Sequence, residues 1–224
     1  RYLLREVLAP DEENVGIFLP PTVACVAANF AMAFAGRTTV NLNYTVKGKT
    51  LDACCETAGL KHVITSRRFM EKVDVQLSTP LVYLEDIKDR ISWTDKLSAA
   101  WSAKVRSARS LHKSFGLDAK RSDDPVTIIF TSGSTGVPKG VVLTFGNIAN
   151  NVDGIDTAIK LNENDVVLGI LPLFHSFGYT VTMWAAMTLP SSVVYHFSPL
   201  DAKQIGKMAG EYKATVLLAT PTFL

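Results

Sequence analysis

Blocks of apolar and polar positions alternate along the chain and predict strands and helices that follow one another. Apolar runs over residues 14–19, 62–66 and 81–85 are typical of buried strands, because they are short and rich in β-branched residues. Between them, residues 22–35 and 47–58 show helical spacing, and a glycine follows each segment. This alternation predicts an α/β fold with mostly parallel sheets and helices on both faces.

A second alternation of the same kind begins after a polar stretch. Residues 86–124 contain no strand pattern, but Trp93, Leu97 and Trp101 recur at helical spacing. They predict an amphipathic helix laid on the core. The later strands are expected at 126–130, 141–143, 165–171, 191–197 and 214–220, and the later helices at 147–160, 176–188 and 201–211.

Composition narrows the class of protein. The chain has 224 residues, of which 47% are hydrophobic, and its 23 basic and 21 acidic residues leave a net charge of +2. This balance gives no reason to expect a nucleic-acid or membrane-surface partner. The apolar stretch 23–36 is shorter than the roughly 20 residues that a membrane-spanning helix needs. We therefore expect no membrane span.

The three cysteines predict a reducing compartment. Cys25, Cys54 and Cys55 do not form a disulfide framework, and the adjacent pair lacks the spacer of a redox or zinc motif. We expect all three to be small core or helix residues in a cytoplasmic protein. The exposed basic positions Arg67–Arg68 and Lys61–His62 are expected to be solvated ends of a helix and a strand.

A run of Thr, Ser and Gly at residues 131–136 separates two apolar β-like segments. Its hydroxyls and unobstructed backbone N–H groups suit phosphate oxygens, and Lys139 adds a positive charge. The spacing from Gly133 to Pro138 excludes a Walker A motif, and no G-x-G-x-x-G fingerprint is present. The sequence therefore predicts a phosphate-binding loop of another kind, lying between two strands.

The segment "TSGSTGVPKGVVLTFGN" resembles the signature phosphate loop of the adenylate-forming superfamily, which includes acyl-CoA synthetases, luciferases and peptide-synthetase adenylation domains. "LPLFHSFGYT" resembles the next motif of that family, and "ATPTFL" resembles a later one. The strongest branch-level likeness, carried by "FHSFG", "LNYT" and "TPTFL", is to the acyl-acyl-carrier-protein synthetase/2-acylglycerophosphoethanolamine acyltransferase branch.

The resemblance implies attack of a carboxylate on the α-phosphate of ATP, followed by displacement of AMP by a thiol or amine. His175 would then border the carboxylate and the adenylate, and Mg²⁺ would assist with the phosphates. The residues that the resemblance places on the phosphates, or that allow their close approach, are Thr131, Ser132, Gly133, Ser134, Thr135, Gly136 and Lys139.

The resemblance also implies a division of the chain. Residues 1–124 would form a first sheet with a helical linker and residues 125–224 the subdomain with the phosphate loop, both within the N-terminal part of a large AMP-binding domain. The sequence opens within a helical pattern, so we expect an excised piece of a longer protein. The metal-binding Glu, the ribose-binding Asp and the C-terminal domain would follow residue 224, so the piece alone is expected to be inactive.

Several alternatives stay open at this stage. The acid is expected to be a fatty acid and the acceptor CoA or acyl-carrier protein. An amino-acid adenylation domain and a non-catalytic nucleotide-binding relic are the alternatives. Residues 176–188 would line an acyl pocket with Tyr179, Thr182, Met183 and Ala186, although an ordinary core helix gives the same pattern. We expect the parent protein in the cytoplasm, and the inner face of the membrane is the alternative location.

Overall fold

The computed structural model describes residues 3, 6–131 and 138–220, and within them the chain forms two sheets. The strands are β1 (Asn14–Ile17), β2 (Thr38–Asn41), β3 (Val63–Thr65), β4 (Leu81–Tyr83), β5 (Pro125–Thr131), β6 (Lys139–Thr144), β7 (Val166–Gly169), β8 (Ser192–Tyr195) and β9 (Val216–Leu217). The larger sheet has the order β4-β3-β1-β2-β5-β6, and the smaller has the order β8-β7-β9. All neighbouring strands run parallel except β5 and β6, so the predicted mostly parallel α/β fold is confirmed.

Helices connect these strands. They are α1 (Val23–Phe34), α2 (Gly48–Thr57), α3 (Arg67–Met70), α4 (Leu84–Arg90), α5 (Trp93–Val105), α6 (Ala108–Ser114), α7 (Phe145–Ile159), a π-helix (Gly178–Ala185) that continues into α8 (Ala186–Thr188), and α9 (Ala202–Glu211). A short 3₁₀ turn lies at Leu117–Ala119. The helices lie largely where the sequence pattern predicts them.

Local sequence signals set the ends of these helices. The Thr22 hydroxyl accepts a hydrogen bond from the Cys25 N–H at 3.3 Å and caps α1, and Gly36 follows the helix with φ +73°. At the start of α7, Thr144 and Asn147 form a reciprocal capping box. Capping thus fixes where the chain leaves β6 and enters α7.

The main hydrophobic core joins both halves of the chain. Val15 and Ile17 from the larger sheet share one buried cluster with Leu173, Tyr179 and Met183, which follow β7. The Tyr179 hydroxyl also lies 3.4 Å from the Thr39 hydroxyl of β2. The region that follows β7 is therefore packed directly on the larger sheet.

The sheet pairing places β5 and β6 with the first part of the chain. Thr39 of β2 is paired with Thr127 of β5, so residues 125–144 extend the larger sheet. The smaller sheet begins after β6. The expected division of the chain at residue 124 stays a prediction.

The helix predicted from Trp93, Leu97 and Trp101 is present as α5, but its predicted packing is wrong. These side chains are 73%, 49% and 67% exposed, so they lie on the solvent side of the helix. Helical spacing reveals a common face, but it does not reveal whether the rest of the chain covers that face.

All three cysteines are free and buried, as predicted from the sequence. Burial raises the pKa of Cys25 to about 12 and that of Cys54 to about 11, because the thiolate loses its hydration in the core. Within residues 3, 6–131 and 138–220, no helix is long and apolar enough to cross a membrane.

Candidate functional site

The predicted phosphate loop joins two strands that pair with each other. Thr131 ends β5 and Lys139 begins β6, and the two residues lie directly opposite each other in the antiparallel register. Both are exposed, so a hydroxyl and an ammonium group flank the base of the loop. The other expected phosphate-binding residues lie outside the described residues, namely Ser132, Gly133, Ser134, Thr135 and Gly136.

A cavity of about 720 Å³ lies beside His175. Most of the residues that form its wall come a few positions after the carboxyl ends of strands in both sheets. Leu19 follows β1, Tyr44 follows β2, Ser66 follows β3, Leu84 follows β4, His175 follows β7 and Phe197 follows β8. Ligands of open parallel α/β sheets bind at this edge, outside the carboxyl ends of the strands.

The strand ends that flank the predicted phosphate loop lie at the same edge of the larger sheet. Thr131 is the carboxyl end of β5, and β5 is the parallel neighbour of β2, which leads to Tyr44 on the cavity wall. Strand topology therefore places Thr131 and Lys139, which flank the predicted phosphate loop, at the sheet edge where the cavity lies.

His175 lies on a wall of aromatic side chains. Its ring centroid is 4.5 Å from that of Phe174, and the Phe174 ring packs edge-on against Tyr44 at 4.9 Å. The side chain of His175 is exposed, but the neighbouring protein removes part of its hydration, and this lowers its pKa below the usual value of 6.5. The lowered pKa favours the neutral imidazole, which can donate or accept a hydrogen bond.

Gly178 positions the loop that carries His175, although we expected no role for it from the sequence. A Cβ atom at this position would overlap the carbonyl oxygen of Pro172 and lie 2.9 Å from its carbonyl carbon. The Tyr179 N–H donates to the His175 carbonyl at 2.9 Å, which ties the π-helix to the same loop. The glycine of the "FHSFG" segment is thus required by a close backbone approach.

Two cations on the cavity wall were not expected to belong to the site. Arg68 and Lys72 line the cavity, and the Lys72 Nζ lies 4.7 Å from the centroid of the Phe197 ring. Arg67 and Arg68 are both exposed, as expected of a solvated helix end, and Arg67 pairs with Asp86 at 2.7 Å. Arg68 and Lys72 lie within a few residues of the carboxyl end of β3, and this position is the sequence signal that could have identified them as part of the site.

The predicted acyl-pocket lining is wrong for this cavity. Tyr179, Thr182, Met183 and Ala186 are all buried, and none of them lines the cavity beside His175. Tyr179 and Met183 pack in the main core, and the Thr182 hydroxyl donates to the Gly178 carbonyl at 2.7 Å. The alternative interpretation of residues 176–188 as a core helix is the one that the structure supports.

The described residues hold no cluster of typical metal-binding side chains. No group of three or more His, Cys, Asp or Glu side chains comes together within residues 3, 6–131 and 138–220. Mg²⁺ is commonly held through one or two carboxylates, waters and the substrate phosphates, rather than by a cage of protein ligands. We therefore assign the expected Mg²⁺ to none of the described residues.

A sequence model of the family described as AMP-binding enzyme matches residues 2–224. The chain belongs to this family. The match spans nearly the whole sequence, so it covers both the phosphate loop and the cavity beside His175. The resemblance recognised in the sequence, to the adenylate-forming superfamily of the acyl-CoA synthetase type, is confirmed.

Curated relatives and solved structures agree with this assignment. 4-Coumarate–CoA ligase 2 from Oryza sativa subsp. japonica is 26% identical over 93% of this chain and 38% of its own length. A shorter match, 47% identical over 25% of this chain and 8% of the relative, is to peroxisomal long chain acyl-CoA synthetase 6 from Arabidopsis thaliana. The chain thus spans well under half the length of either relative.

The fold recurs in O-succinylbenzoate coenzyme A synthetase from Bacillus subtilis, solved in complex with ATP and magnesium ion. The TM-score is 0.73 at 20% identity, over 94% of this chain and 51% of the solved chain. At this level of identity the likeness shows the fold, which is that of the N-terminal region of an adenylate-forming enzyme.

Proposed function

We propose that the protein carrying this chain is an ATP-dependent, AMP-forming ligase that joins a carboxylic acid to a thiol. The observation that carries this proposal is that Thr131 and Lys139, which flank the predicted phosphate loop, lie at the same sheet edge as the cavity beside His175. The names of the two relatives, a 4-coumarate–CoA ligase and a long chain acyl-CoA synthetase, support the same class.

The proposed first step joins the acid to AMP. A carboxylate oxygen attacks the α-phosphorus of ATP, the bond from that phosphorus to the bridging oxygen breaks, and pyrophosphate leaves with the electron pair. Lys139 and the hydroxyl of Thr131 would bind the phosphates and offset the charge that develops on them. Mg²⁺, when bound, would neutralise further phosphate charge.

The proposed second step releases AMP. A thiolate attacks the acyl carbon of the adenylate, the bond from that carbon to the phosphate-linked oxygen breaks, and AMP leaves. A hydrogen bond with the imidazole of His175, which lies on the cavity wall, would orient the carboxylate or the incoming thiol.

The wall of the cavity favours an acid with a hydrocarbon body, such as a fatty acid. Leu19, Phe69, Val73 and Phe174 supply apolar surface. This apolar surface supports the fatty-acid proposal.

The cations of the cavity wall suit an acceptor that carries phosphate. CoA and acyl-carrier protein both present their thiol on a phosphorylated pantetheine arm. Arg68 and Lys72 offer this arm two positive charges beside an apolar passage. We propose CoA or acyl-carrier protein as the acceptor, with ATP as the nucleotide.

ATP–pyrophosphate exchange with a panel of acids tests the proposal. The protein that carries this chain should exchange label with long-chain fatty acids and not with amino acids. Lys139→Ala should lower the exchange rate by roughly 100-fold or more, as expected for the loss of one donor to developing charge. Lys207→Ala removes the same charge from the exposed side of α9 and should leave the rate unchanged.

Two results would contradict this assignment. Exchange that depends on an amino acid would favour the adenylation-domain alternative. ATP binding without exchange for any acid would favour the non-catalytic nucleotide-binding relic.

A further inference from the structure

Helix α5 presents its apolar side chains to solvent. Trp93, Leu97, Trp101 and Val105 recur at every fourth residue and are 73%, 49%, 67% and 57% exposed. Residues four apart lie above one another on a helix, so these side chains form one continuous stripe, which we call the α5 stripe. Two exposed tryptophans on one stripe make this an unusual surface for a protein in water.

The opposite side of α5 is the side that faces the protein. Asp95 and Ser102 are half-buried, and no residue of the helix is fully buried. Surface helices normally bury the apolar side and expose the polar one, so the orientation of α5 is reversed. The Ser92 hydroxyl accepts a hydrogen bond from the Asp95 N–H at 3.0 Å, so a local cap supports the helix.

Basic residues accompany the α5 stripe. Lys96 and Lys104 each follow a tryptophan by three residues and therefore lie on the same side of the helix. The segment 88–114 contains seven Lys or Arg and two Asp, a net charge of +5, whereas the whole chain carries +2. The near-balance of the whole chain thus conceals a strongly basic segment.

These cations are available to a partner. Lys96 and Lys104 of α5 and Arg109 and Lys113 of α6 are exposed, and none of them forms an ion pair with another described residue. Exposed Lys side chains can lay their hydrocarbon stems along apolar surface and raise their ammonium groups to anions above it. The surface therefore combines an apolar stripe with unpaired positive charge along one helix.

We propose that the α5 stripe and its flanking cations dock the protein on an anionic lipid surface. A helix with Trp and Leu on one side and Lys and Arg beside them is typical of helices that lie in the plane of a membrane interface. Tryptophan favours this boundary, because its ring is apolar and its N–H group is polar. This inference goes beyond the proposed function and does not rest on it.

Charge favours a lipid surface over a second copy of this chain. Two copies that met through the α5 stripe would bring two basic segments of net charge +5 together. An anionic surface instead neutralises each segment, and its attraction falls as salt screens it. The helix is only 13 residues long, so we expect reversible binding rather than permanent anchoring.

Co-sedimentation with vesicles tests the proposal directly. The purified protein is mixed with vesicles of phosphatidylcholine alone, or of phosphatidylcholine and phosphatidylglycerol in equal parts. We expect binding to the second kind alone, and its loss between about 0.1 M and about 1 M salt. Tryptophan emission should shift to the blue on binding, since Trp93 and Trp101 would leave water.

Two double variants and a matched control separate the α5 stripe from general charge. Changing Lys96→Glu together with Lys104→Glu should lower the partition coefficient by about thirty-fold or more. The control, Lys203→Glu with Lys207→Glu, makes the same change of net charge on exposed positions of α9 and should bind as the wild type does.

The second double variant, Trp93→Ser with Trp101→Ser, should lower the partition coefficient at least about tenfold. Both side chains are exposed, so the fold should survive, as circular dichroism would verify. Failure to bind anionic vesicles would overturn the proposal, as would equal losses in the α5 and α9 charge variants. Self-association without vesicles that the tryptophan variant abolishes would also overturn it, because a second copy would then cover the stripe.

Discussion

Replacing Gly178 with Ala should destabilise the protein and displace the loop that carries His175. The added Cβ would overlap the Pro172 carbonyl oxygen, and it would also lie 3.1 Å from the carbonyl oxygen of Leu171. These are backbone atoms, which cannot move aside as the end of a flexible side chain can. The φ of Gly178 is not in the left-handed region, so the cost is steric and does not arise from backbone strain.

The loss of stability can be estimated from the cost of adding a methyl group to a closely packed site. Inserting one methyl group into a closely packed site costs about 1–3 kcal/mol, and backbone contacts place Gly178→Ala near the upper value. For a chain of this length, about 3 kcal/mol corresponds to a fall in the melting temperature of about 6–12 °C. The KM for the acid should also rise, because the π-helix would be pushed away from the residue 172–175 loop.

Gly206→Ala provides the matched control. Gly206 lies inside α9, and an added Cβ would meet nothing within 4 Å. The same methyl group should therefore stabilise the helix by about 1 kcal/mol through its higher helix propensity. Thermal unfolding followed by circular dichroism measures both variants. A melting temperature for Gly178→Ala equal to or above that of the wild type would refute the steric argument.

Three further predictions concern individual side chains. An NMR titration of His175 should give a midpoint below pH 6.5, because loss of hydration disfavours the charged imidazolium. The free energy of unfolding should therefore fall as the pH drops from above 6.5 through that midpoint. A midpoint above pH 6.5 would contradict this. A thiol reagent at pH 8 should label Cys25 only after denaturation, because burial raises the pKa of this thiol to about 12. Rapid labelling of the native protein would contradict this, since it would show that the reagent reaches Cys25 in the folded state. Asn41→Ala should lower the free energy of unfolding, measured in urea, by about 1–3 kcal/mol, because the side chains of Asn29 and Asn41 donate buried hydrogen bonds to each other at 2.8 and 3.0 Å. An unchanged urea midpoint would contradict this.

The elements with a strong local signal were predicted from the sequence. The strands on either side of the phosphate loop carry β-branched residues, and the loop between Thr131 and Lys139 has a composition that core elements do not have. His175 was identified from its motif, and the structure places it on the wall of the cavity. These features depend on neighbouring residues, which the sequence displays directly.

The features that depend on chain topology were not predicted. Leu19, Tyr44 and Phe197 are far apart in sequence and reach one cavity because parallel strands end at a common edge. Likewise, the spacing of Trp93 and Trp101 predicts a helix with one apolar face. It does not show that Asp95 and Ser102, on the opposite face, are the residues turned toward the protein. Packing between distant segments decides both.

The fate of a carboxylate oxygen tests the central claim most directly. The protein that carries this chain is given ATP, CoA and a long-chain fatty acid whose carboxylate is labelled with ¹⁸O, and the products are analysed by mass spectrometry. If the carboxylate attacks the α-phosphorus, one labelled oxygen must appear in AMP and none in pyrophosphate. Formation of the thioester without label in AMP, or with label in orthophosphate, would contradict an acyl-adenylate intermediate.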